Sequence, residues 1–477
     1  MLKHIIKYEG RLLRADGVAG ITLIIFLGAM AYAGWMGMAY TNDVAAESQV
    51  YVQKHAERMS EMQQEARAIE EEMTRDDISL DTYTWGPRSA YSVGSSQGSL
   101  IAYPEAPLAA FAIGQSDLLP AVFKVSVAGV QPAGQTATLE NPFKLLVGHF
   151  DFAFVFLYIY PLFIIALTFG LTSGERESGL LRIILAQPLK LSSLALGKVI
   201  VRALLLAGIV FMGTGLFAWF VGGDAVFGSW IMWMVVSLLY GGFWMGLAVF
   251  IDSRVRSSSM SALALTGCWL VLAVVLPALI SFFATALYPV PSRMEYITAM
   301  RTETNVARQQ GAASLARFFE DHPEIAPVTD EDANFAMLRI AQQEQIAEQL
   351  APLETAFSEQ LQKQQKFISN MSYLSPTVLV HQSYLHIAGT GSTRYVQFRD
   401  ELADFQEIWK AHMIPKYFAD VAFRAAEYDR LPAYSDESRH TGISLGSLAL
   451  PMTFTCLVAA LLFSLGFIGY SKRELLD

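Results

Sequence analysis

The sequence predicts an all-α membrane protein with six transmembrane helices and two large insert domains between them. Only 16% of its residues are charged and 53% are apolar, whereas soluble proteins carry about 25% charged residues. The apolar residues cluster in runs of about 20, the length that a helix needs to cross a hydrocarbon core of about 30 Å. The predicted spans lie at about 18–40, 150–171, 199–221, 227–251, 259–287 and 444–470, so that 199–287 holds spans three to five.

Residues 1–17 precede the first span and combine cations with apolar residues. The residues that form this pattern are Leu2, Ile5, Ile6, Leu12 and Leu13, interspersed with Lys3, Lys7, Arg11 and Arg14. Their roughly helical spacing predicts a basic amphipathic helix on the inner membrane face. A positively charged flank that only orients the first span explains the pattern equally well.

The first insert domain, 41–149, is predicted to mix helix, loop and short strands. Residues 43–77 contain no Gly or Pro and many good helix formers, which predicts one long helix projecting from the membrane. Gly and Pro punctuate 81–149, which indicates loops with a few short strands. Both cysteines, Cys268 and Cys456, lie in predicted spans, so we expect no disulfide in this domain.

Five apolar residues of the first insert domain allow two interpretations. They are Leu108, Phe111, Ile113, Leu118 and Leu119. They either pack against the second insert domain, as a cap over the spans, or fill the core of their own domain. The second alternative is at least as well supported, because a small loop-rich domain without disulfides needs its apolar side chains internally.

The second insert domain, 288–443, is predicted to be mainly helical. Prolines predict helix breaks, and turn signals divide the rest of the domain. The breaks are expected at Pro323, Pro327 and Pro352, and the turns at Ser375-Pro376, Gly389-Thr390-Gly391 and Pro432. Around Pro352, a kinked helix and a helical hairpin fit the pattern equally well.

The distribution of charge predicts the orientation. Lys and Arg are concentrated in the short loops and at the chain ends, and such residues favour the cytoplasm. The insert domains hold most of the acids of a chain whose net charge is −10. We therefore expect both termini, including the tail 471–477, in the cytoplasm and both insert domains outside it. An acidic exterior repels nucleic acid, so we expect no nucleic-acid partner.

The most informative short segment follows the second span, in the predicted cytoplasmic segment 172–198. Its charged start, Ser173-Gly174-Glu175-Arg176-Glu177, gives way to apolar turns that end at Pro188. This order predicts a short amphipathic helix at the membrane surface, with its acidic start facing water. The loop is longer than a connection between two spans requires, so a partner protein can bind it.

The segment resembles the one that follows the second span in permease subunits of type-2 ATP-binding cassette (ABC) exporters and docks on the ATPase subunit. The matching residues are Glu175, Arg176, Glu177, Gly179, Leu181, Leu185 and Pro188. The sequence departs from the family where Ser178-Gly179-Leu180 replaces the more usual Gly-Thr-Leu. The resemblance implies a role in ATPase coupling for these residues. It also implies two ATPase subunits, a second six-span permease subunit, identical or paralogous, and the bacterial inner membrane.

The insert domains resemble those of a bacterial subgroup of these permeases, which carries a large domain of unknown function between spans. The resemblance rests on Pro107-Leu108-Ala109-Ala110, Gly114-Gln115-Ser116-Asp117-Leu118, Lys124-Val125-Ser126, Leu374-Ser375-Pro376 and Ala388-Gly389-Thr390-Gly391. The substrates of this subgroup are mostly undefined. The resemblance therefore implies a class of mechanism rather than a substrate.

We expect no nucleotide motor in this chain. A phosphate-binding loop needs the pattern Gly-x-x-x-x-Gly-Lys-Ser/Thr. The candidate Gly197-Lys198 is followed by Val199 and has Ser192 in place of the first glycine. The chain is therefore expected to bind no cofactor and to have no catalytic residues, and ATP and Mg²⁺ are expected in the partner ATPase.

Four histidines fall in the second insert domain, at His381, His386, His412 and His440. Their spacing matches no compact metal site and no cysteine supports them, so we expect no bound metal. The sequence also shows no convincing pairing of a nucleophile with a base.

The leading interpretation is therefore a permease subunit of an ABC exporter. An alternative is a membrane-anchored scaffold or sensor whose insert domains bind a partner protein. Six spans are more than anchoring requires, and this alternative leaves the segment 172–198 unexplained. A secondary transporter is a weaker candidate, because no carboxylate lies near the middle of a predicted span.

Overall fold

The computed structural model describes most of the chain. The described residues are 2–15, 17–80, 85–106, 108–114, 116–133, 149–187, 190–222, 224–290, 292–321, 335–418, 422–435 and 445–474. In chain order their helices are α1 (Leu2–Ala15), α2 (Gly17–Arg75), α3 (152–168), α4 (Ser173–Glu177), α5 (Leu180–Leu185), α6 (Leu191–Val221), α7 (Asp224–Asp252), α8 (Ser258–Leu287), α9 (Arg293–Gln309), α10 (Gly311–Asp321), α11 (Phe335–Met371), α12 (Pro376–Ala388), α13 (Ser392–Phe418) and α14 (Leu445–Glu474).

Within the described residues, six helices are long and apolar enough to cross a membrane. The chain is thus a mainly helical, multi-pass membrane protein, and the predicted number of spans is confirmed. Spans 1 to 6 are the first part of α2, then α3, α6, α7, α8 and α14. We call the end of the bundle that holds the short connections 169–190 and 253–257 the loop end, and the opposite end the lobe end.

The first span continues directly into the first insert domain. The helix α2 has 59 residues without interruption, which at 1.5 Å per residue corresponds to about 90 Å. This is about three times the thickness of a hydrocarbon core. The long helix predicted at 43–77 is confirmed, and it is an extension of span 1 rather than a separate element.

Glycines allow spans 4 and 6 to pack closely. A Cβ atom added at Gly466 would lie 2.7 Å from Val249 Cγ1 and 3.0 Å from the backbone nitrogen of Phe250. At Gly246 it would lie 3.1 Å from the carbonyl oxygen of Ala459. Such close helix contacts require small residues. The two short connections at the loop end are thereby held beside the end of span 6.

The rest of the first insert domain contains a small antiparallel sheet. Its strands β1 (Ser99–Ala102), β2 (Val122–Ser126) and β3 (Gly129–Ala133) lie in the order β1-β2-β3. Ile101 pairs with Phe123, and both side chains are buried. The short strands predicted in 81–149 are confirmed for the residues up to 133; residues 134–148 lie outside the described part.

The two insert domains, which are separate segments of the sequence, share one apolar core. Met62 of α2, Phe123 of β2 and Trp409 of α13 belong to this core. The Trp409 indole N–H also donates to the carbonyl oxygen of Gly94, at 3.0 Å. We call this unit, made of the distal half of α2, the sheet, α9–α11 and α13, the lobe.

The structure confirms the turns predicted at Ser375-Pro376 and Gly389, and it decides between the alternatives left open at Pro352. Ser375 caps α12, and Gly389 ends it with a left-handed φ of 76°, a conformation that glycine adopts without steric cost. The helix α11 passes through Pro352 without a break, so the helical hairpin is wrong and one continuous helix is observed. The breaks predicted at Pro323 and Pro327 lie outside the described residues.

The apolar stretch at 108–113 packs on the bundle rather than in the core of its own domain. Leu108 and Phe111 belong to the same core as the spans, and the Phe111 ring lies 5.4 Å from that of Trp233 in span 4. Thr390 donates to the carbonyl oxygen of Ala112 at 2.6 Å. The cap alternative is confirmed for Leu108 and Phe111. The side chain of Leu118 is outside the described part.

Part of the second insert domain lies among the spans, which the sequence did not predict. Ser375 donates to the carbonyl oxygen of Leu272 at 2.8 Å, and Leu272 is at the middle of span 5. From there α12 returns towards the lobe end. Tyr384 of α12 stacks on Trp233, with ring centroids 4.0 Å apart, and its hydroxyl lies 2.9 Å from Ser237 Oγ. The segment 288–443 is therefore not entirely outside the bundle.

Candidate coupling site at the loop end

The chain breaks its helix directly after span 2. Regular helix ends at Thr168, and the short helices α4 and α5 follow. Gly179 separates them with a φ of 75°, which disfavours any residue with a Cβ atom. Two short helices therefore lie across the loop end, where the sequence predicted one amphipathic helix.

Asp252 organises this break. The carboxylate lies at the end of span 4 and is fully buried. It accepts hydrogen bonds from the backbone N–H and hydroxyl of Thr172, and from the N–H and hydroxyl of Ser173 at 3.3 and 2.8 Å. The Tyr470 hydroxyl of span 6 donates a further bond, at 2.7 Å. A buried carboxylate needs such donors to compensate for lost hydration, so Asp252 fixes the start of α4 against spans 4 and 6.

Two cations of span 3 bind the other side of the break. Lys198 Nζ lies 2.7 Å from Glu175 Oε1 and donates to the carbonyl oxygen of Leu171, also at 2.7 Å. One turn further along, Arg202 Nε donates to the carbonyl oxygen of Leu167, at 2.6 Å. Carbonyl groups at the end of a helix lack partners within that helix. Lys198 and Arg202 supply these partners for span 2.

The Arg202 pair extends this network to the N-terminal helix. Arg202 Nη1 lies 2.6 Å from Glu9 Oε1 of α1, and the side chains are only 9% and 4% exposed. Since Arg202 is one turn from Lys198, buried charges connect α1, span 3 and α4. Residues Leu2–Ala15 are helical and pack on the bundle through Ile5 and Glu9. The position of this helix on the inner membrane face stays a prediction, as does its alternative role as a flank that orients the first span.

Glu177 joins the segment to span 5. Its carboxylate accepts hydrogen bonds from the backbone N–H of Ser258, at 3.1 Å, and from the Ser258 hydroxyl. Ser258 is the first residue of α8. A carboxylate at this position interacts favourably with the helix dipole and with an unpaired N–H group.

The candidate coupling residues that the sequence identified differ in their exposure to solvent. Glu177 and Gly179 are exposed, Arg176 is partly exposed, and Leu181 is buried at 5% exposure. Glu175 differs from the expectation that the acidic start faces water, because its side chain is 18% exposed and paired with Lys198. The side chain of Leu185 and all of Pro188 lie outside the described residues.

The helix α5 also presents exposed apolar side chains, which belong to no motif in the sequence. Leu180 is 51% and Ile183 66% exposed. Residues three apart lie on one face of a helix, so these two form one apolar edge. The helical period separates this edge from Leu181, but only the tertiary contacts show which face points outward. Asp252, Lys198 and Glu9 were also missed, because scattered charges at span ends form no sequence motif.

Those histidines of the second insert domain that the structure describes are not gathered into a site. His386 Nε2 lies 2.6 Å from Ser447 Oγ at the start of span 6. In the lobe, burial and then the charge of Lys416 lower the pKa of His412, which favours the neutral ring. In the part of the chain that the structure describes, no three His, Cys, Asp or Glu side chains are placed to hold a metal ion. His440 is outside that part.

The second insert domain matches a known family model. A family model described as a domain of unknown function (DUF3526) matches residues 293–436, less than half of the chain. These residues include α9 to α13 and connect spans 5 and 6. No curated protein matches the chain.

Proposed function

We propose that this chain is the permease subunit of a type-2 ABC exporter, which moves a substrate across the bacterial inner membrane. In this proposal it works with a second six-span subunit and two ATPase subunits, which bind ATP and Mg²⁺. The loop end faces the cytoplasm, and the lobe lies on the other side. The chain itself contributes no catalytic residue.

One observation carries the proposal: polar bonds attach a single short segment to three spans and, through Asp252, to a fourth. Glu175 binds span 3, Thr172 and Ser173 bind span 4, and Glu177 binds span 5. Asp252 extends this attachment to Tyr470 of span 6. A force applied to α4 and α5 is therefore transmitted to most of the bundle, as a coupling segment requires.

The edge formed by Leu180 and Ile183 is the surface that the ATPase would bind. An apolar side chain beside a membrane surface gains free energy when a partner covers it, at about 25 cal/mol per Å². Glu175 and Glu177 contribute indirectly, because their carboxylates are bound within the chain and position this edge. The role of these acids is therefore to hold the segment, which refines the docking role implied by the family resemblance.

The test is to purify the full chain from the cells that produce it naturally and to probe the preparation for a bound ABC ATPase. We expect wild-type protein to retain the ATPase and Ile183→Glu to lose it, because a carboxylate at this edge must be desolvated on docking. The matched control is Ile408→Glu, since Ile408 is 57% exposed but lies on α13 of the lobe. A cysteine at position 183 should also cross-link to the ATPase. Equal retention by wild type and Ile183→Glu, or no retention by wild type, would argue against the proposal.

A further inference from the structure

The outward face of α1 carries two adjacent stripes of different chemistry. Lys7, Arg11 and Arg14 follow one another at spacings of four and three residues, which places them on one side of the helix. All three are exposed, and no carboxylate of the described residues pairs with them. Tyr8 and Leu12, four residues apart, form a neighbouring stripe and are 64% and 45% exposed.

The opposite face of α1 fixes its position relative to the membrane spans. Ile5 packs against the core of the bundle, and Glu9 pairs with Arg202. Arg202 also binds the last turn of span 2, so α1 lies beside the ends of spans 2 and 3. It leads directly into span 1, whose Val18 and Ile21 are 65% and 61% exposed. The outward face of α1 therefore borders a surface that contacts lipid.

We propose that the outward face of α1 binds the headgroups of anionic phospholipids. Lys7, Arg11 and Arg14 meet the phosphate-bearing headgroups, and Tyr8 and Leu12 enter the boundary between headgroups and acyl chains. Helices with a cationic stripe beside an apolar one lie at this depth. Cations near an anionic bilayer surface each contribute favourably to binding. The mixed chemistry favours lipid over an acidic protein, because an acidic protein surface gives Tyr8 and Leu12 no apolar environment.

The lipid contact has a structural consequence for the buried charges. A headgroup that holds α1 at the bundle also holds Glu9 beside Arg202, one turn from Lys198 and the coupling segment. The binding proposal itself does not rest on the proposed transport function. It applies to any multi-pass protein with this arrangement of α1.

The test measures lipid selectivity of the full chain in nanodiscs of phosphatidylcholine mixed with phosphatidylglycerol. A spin-labelled phosphatidylglycerol and a spin-labelled phosphatidylcholine report the relative association of each lipid with the protein. We expect wild type to prefer phosphatidylglycerol and Lys7→Gln/Arg11→Gln/Arg14→Gln to lose at least about fivefold of that preference, which is the contribution of a single cation near an anionic surface. High salt should weaken the preference of wild type, since the interaction is electrostatic.

The matched control is Lys54→Gln/Arg67→Gln/Arg75→Gln, which removes three exposed cations from the part of α2 beyond span 1. It should keep the wild-type preference. Unchanged preference in the α1 triple variant would overturn the proposal, as would an equal loss in the control. Loss of a bound protein from the α1 variant, with lipid preference intact, would assign this face to a protein partner and likewise overturn it.

Discussion

At the scale of single residues, the loop end depends on ionised groups that have been removed from water. Lys198 is 5% and Arg202 8% exposed, and Asp252 is fully buried. Buried ion pairs contribute little net stability, but removal of one partner leaves an uncompensated charge. The role of these residues is therefore to fix α4 in one position, and substituting them tests this role.

We predict that Lys198→Met lowers the free energy of unfolding by about 3 kcal/mol, because Glu175, which is only 18% exposed, loses its cation and the carbonyl oxygen of Leu171 loses its donor. The double variant Lys198→Met/Glu175→Gln should recover most of this loss, since no unpaired charge remains. Thermal unfolding of the full chain in detergent measures both. Lys190→Met is the matched control, because Lys190 is exposed and directly precedes the same helix. A double variant as unstable as the single one would contradict this account of the pair.

At the scale of elements, α12 is the helix whose position was least expected. It packs against spans 2, 4, 5 and 6, and its polar groups find partners on the spans. The Tyr240 hydroxyl forms a hydrogen bond of 3.0 Å with the Thr377 hydroxyl, and the Tyr384 hydroxyl forms one with the Ser237 hydroxyl.

We predict that Tyr384→Phe destabilises the protein by only about 1 kcal/mol, because the stack on Trp233 remains and one hydrogen bond is lost. Tyr384→Ala should cost about 3–5 kcal/mol, since it leaves a cavity where the ring is fully buried. The comparison of unfolding midpoints in detergent separates the packing from the hydrogen bond. Similar, small effects of both substitutions would show that α12 is not packed among the spans.

At the scale of the whole molecule, the two insert domains lie together at the lobe end, and the short connections between spans lie at the loop end. The lobe core joins α2 to the sheet and to α13. Some of its partners are far apart in the sequence, since the bond from Gln406 to the carbonyl oxygen of Ser126 spans 280 residues. This common core means that the two insert domains should keep the same side of the membrane. The side itself is a prediction from charge.

We predict that Ser60→Cys and Ser358→Cys react with an impermeant thiol reagent in intact spheroplasts. Both positions are exposed in the lobe. Ser178→Cys, exposed at the loop end, should react only after lysis and is the matched control. All three are made with Cys268 and Cys456 replaced by Ser, because these two cysteines are free. Labelling of Ser178→Cys in intact cells, with the lobe positions labelled only after lysis, would reverse the topology.

The sequence by itself determined the features that depend on local pattern. Apolar runs of the length of a bilayer identified the six spans, and the absence of Gly and Pro identified the extension of α2. The turn signals at Ser375 and Gly389 marked the ends of α12. In each case neighbouring residues decide the free energy of the structure, so one stretch of sequence contains the required information.

Only the tertiary structure decided where these elements meet. The sequence could not place α12 among the spans. A short helix that contains both apolar and polar residues can pack either on a lobe or between spans that offer hydrogen-bond partners, and its composition is the same in both cases. The sequence could not show that Asp252 binds Thr172 and Tyr470, or that Glu9 binds Arg202, since these pairs are 80 to 218 residues apart. Nor could it show that α5 turns Ile183 outward and Leu181 inward. Those outcomes depend on which distant partner compensates each buried charge and covers each apolar face, and that is a property of the packed molecule.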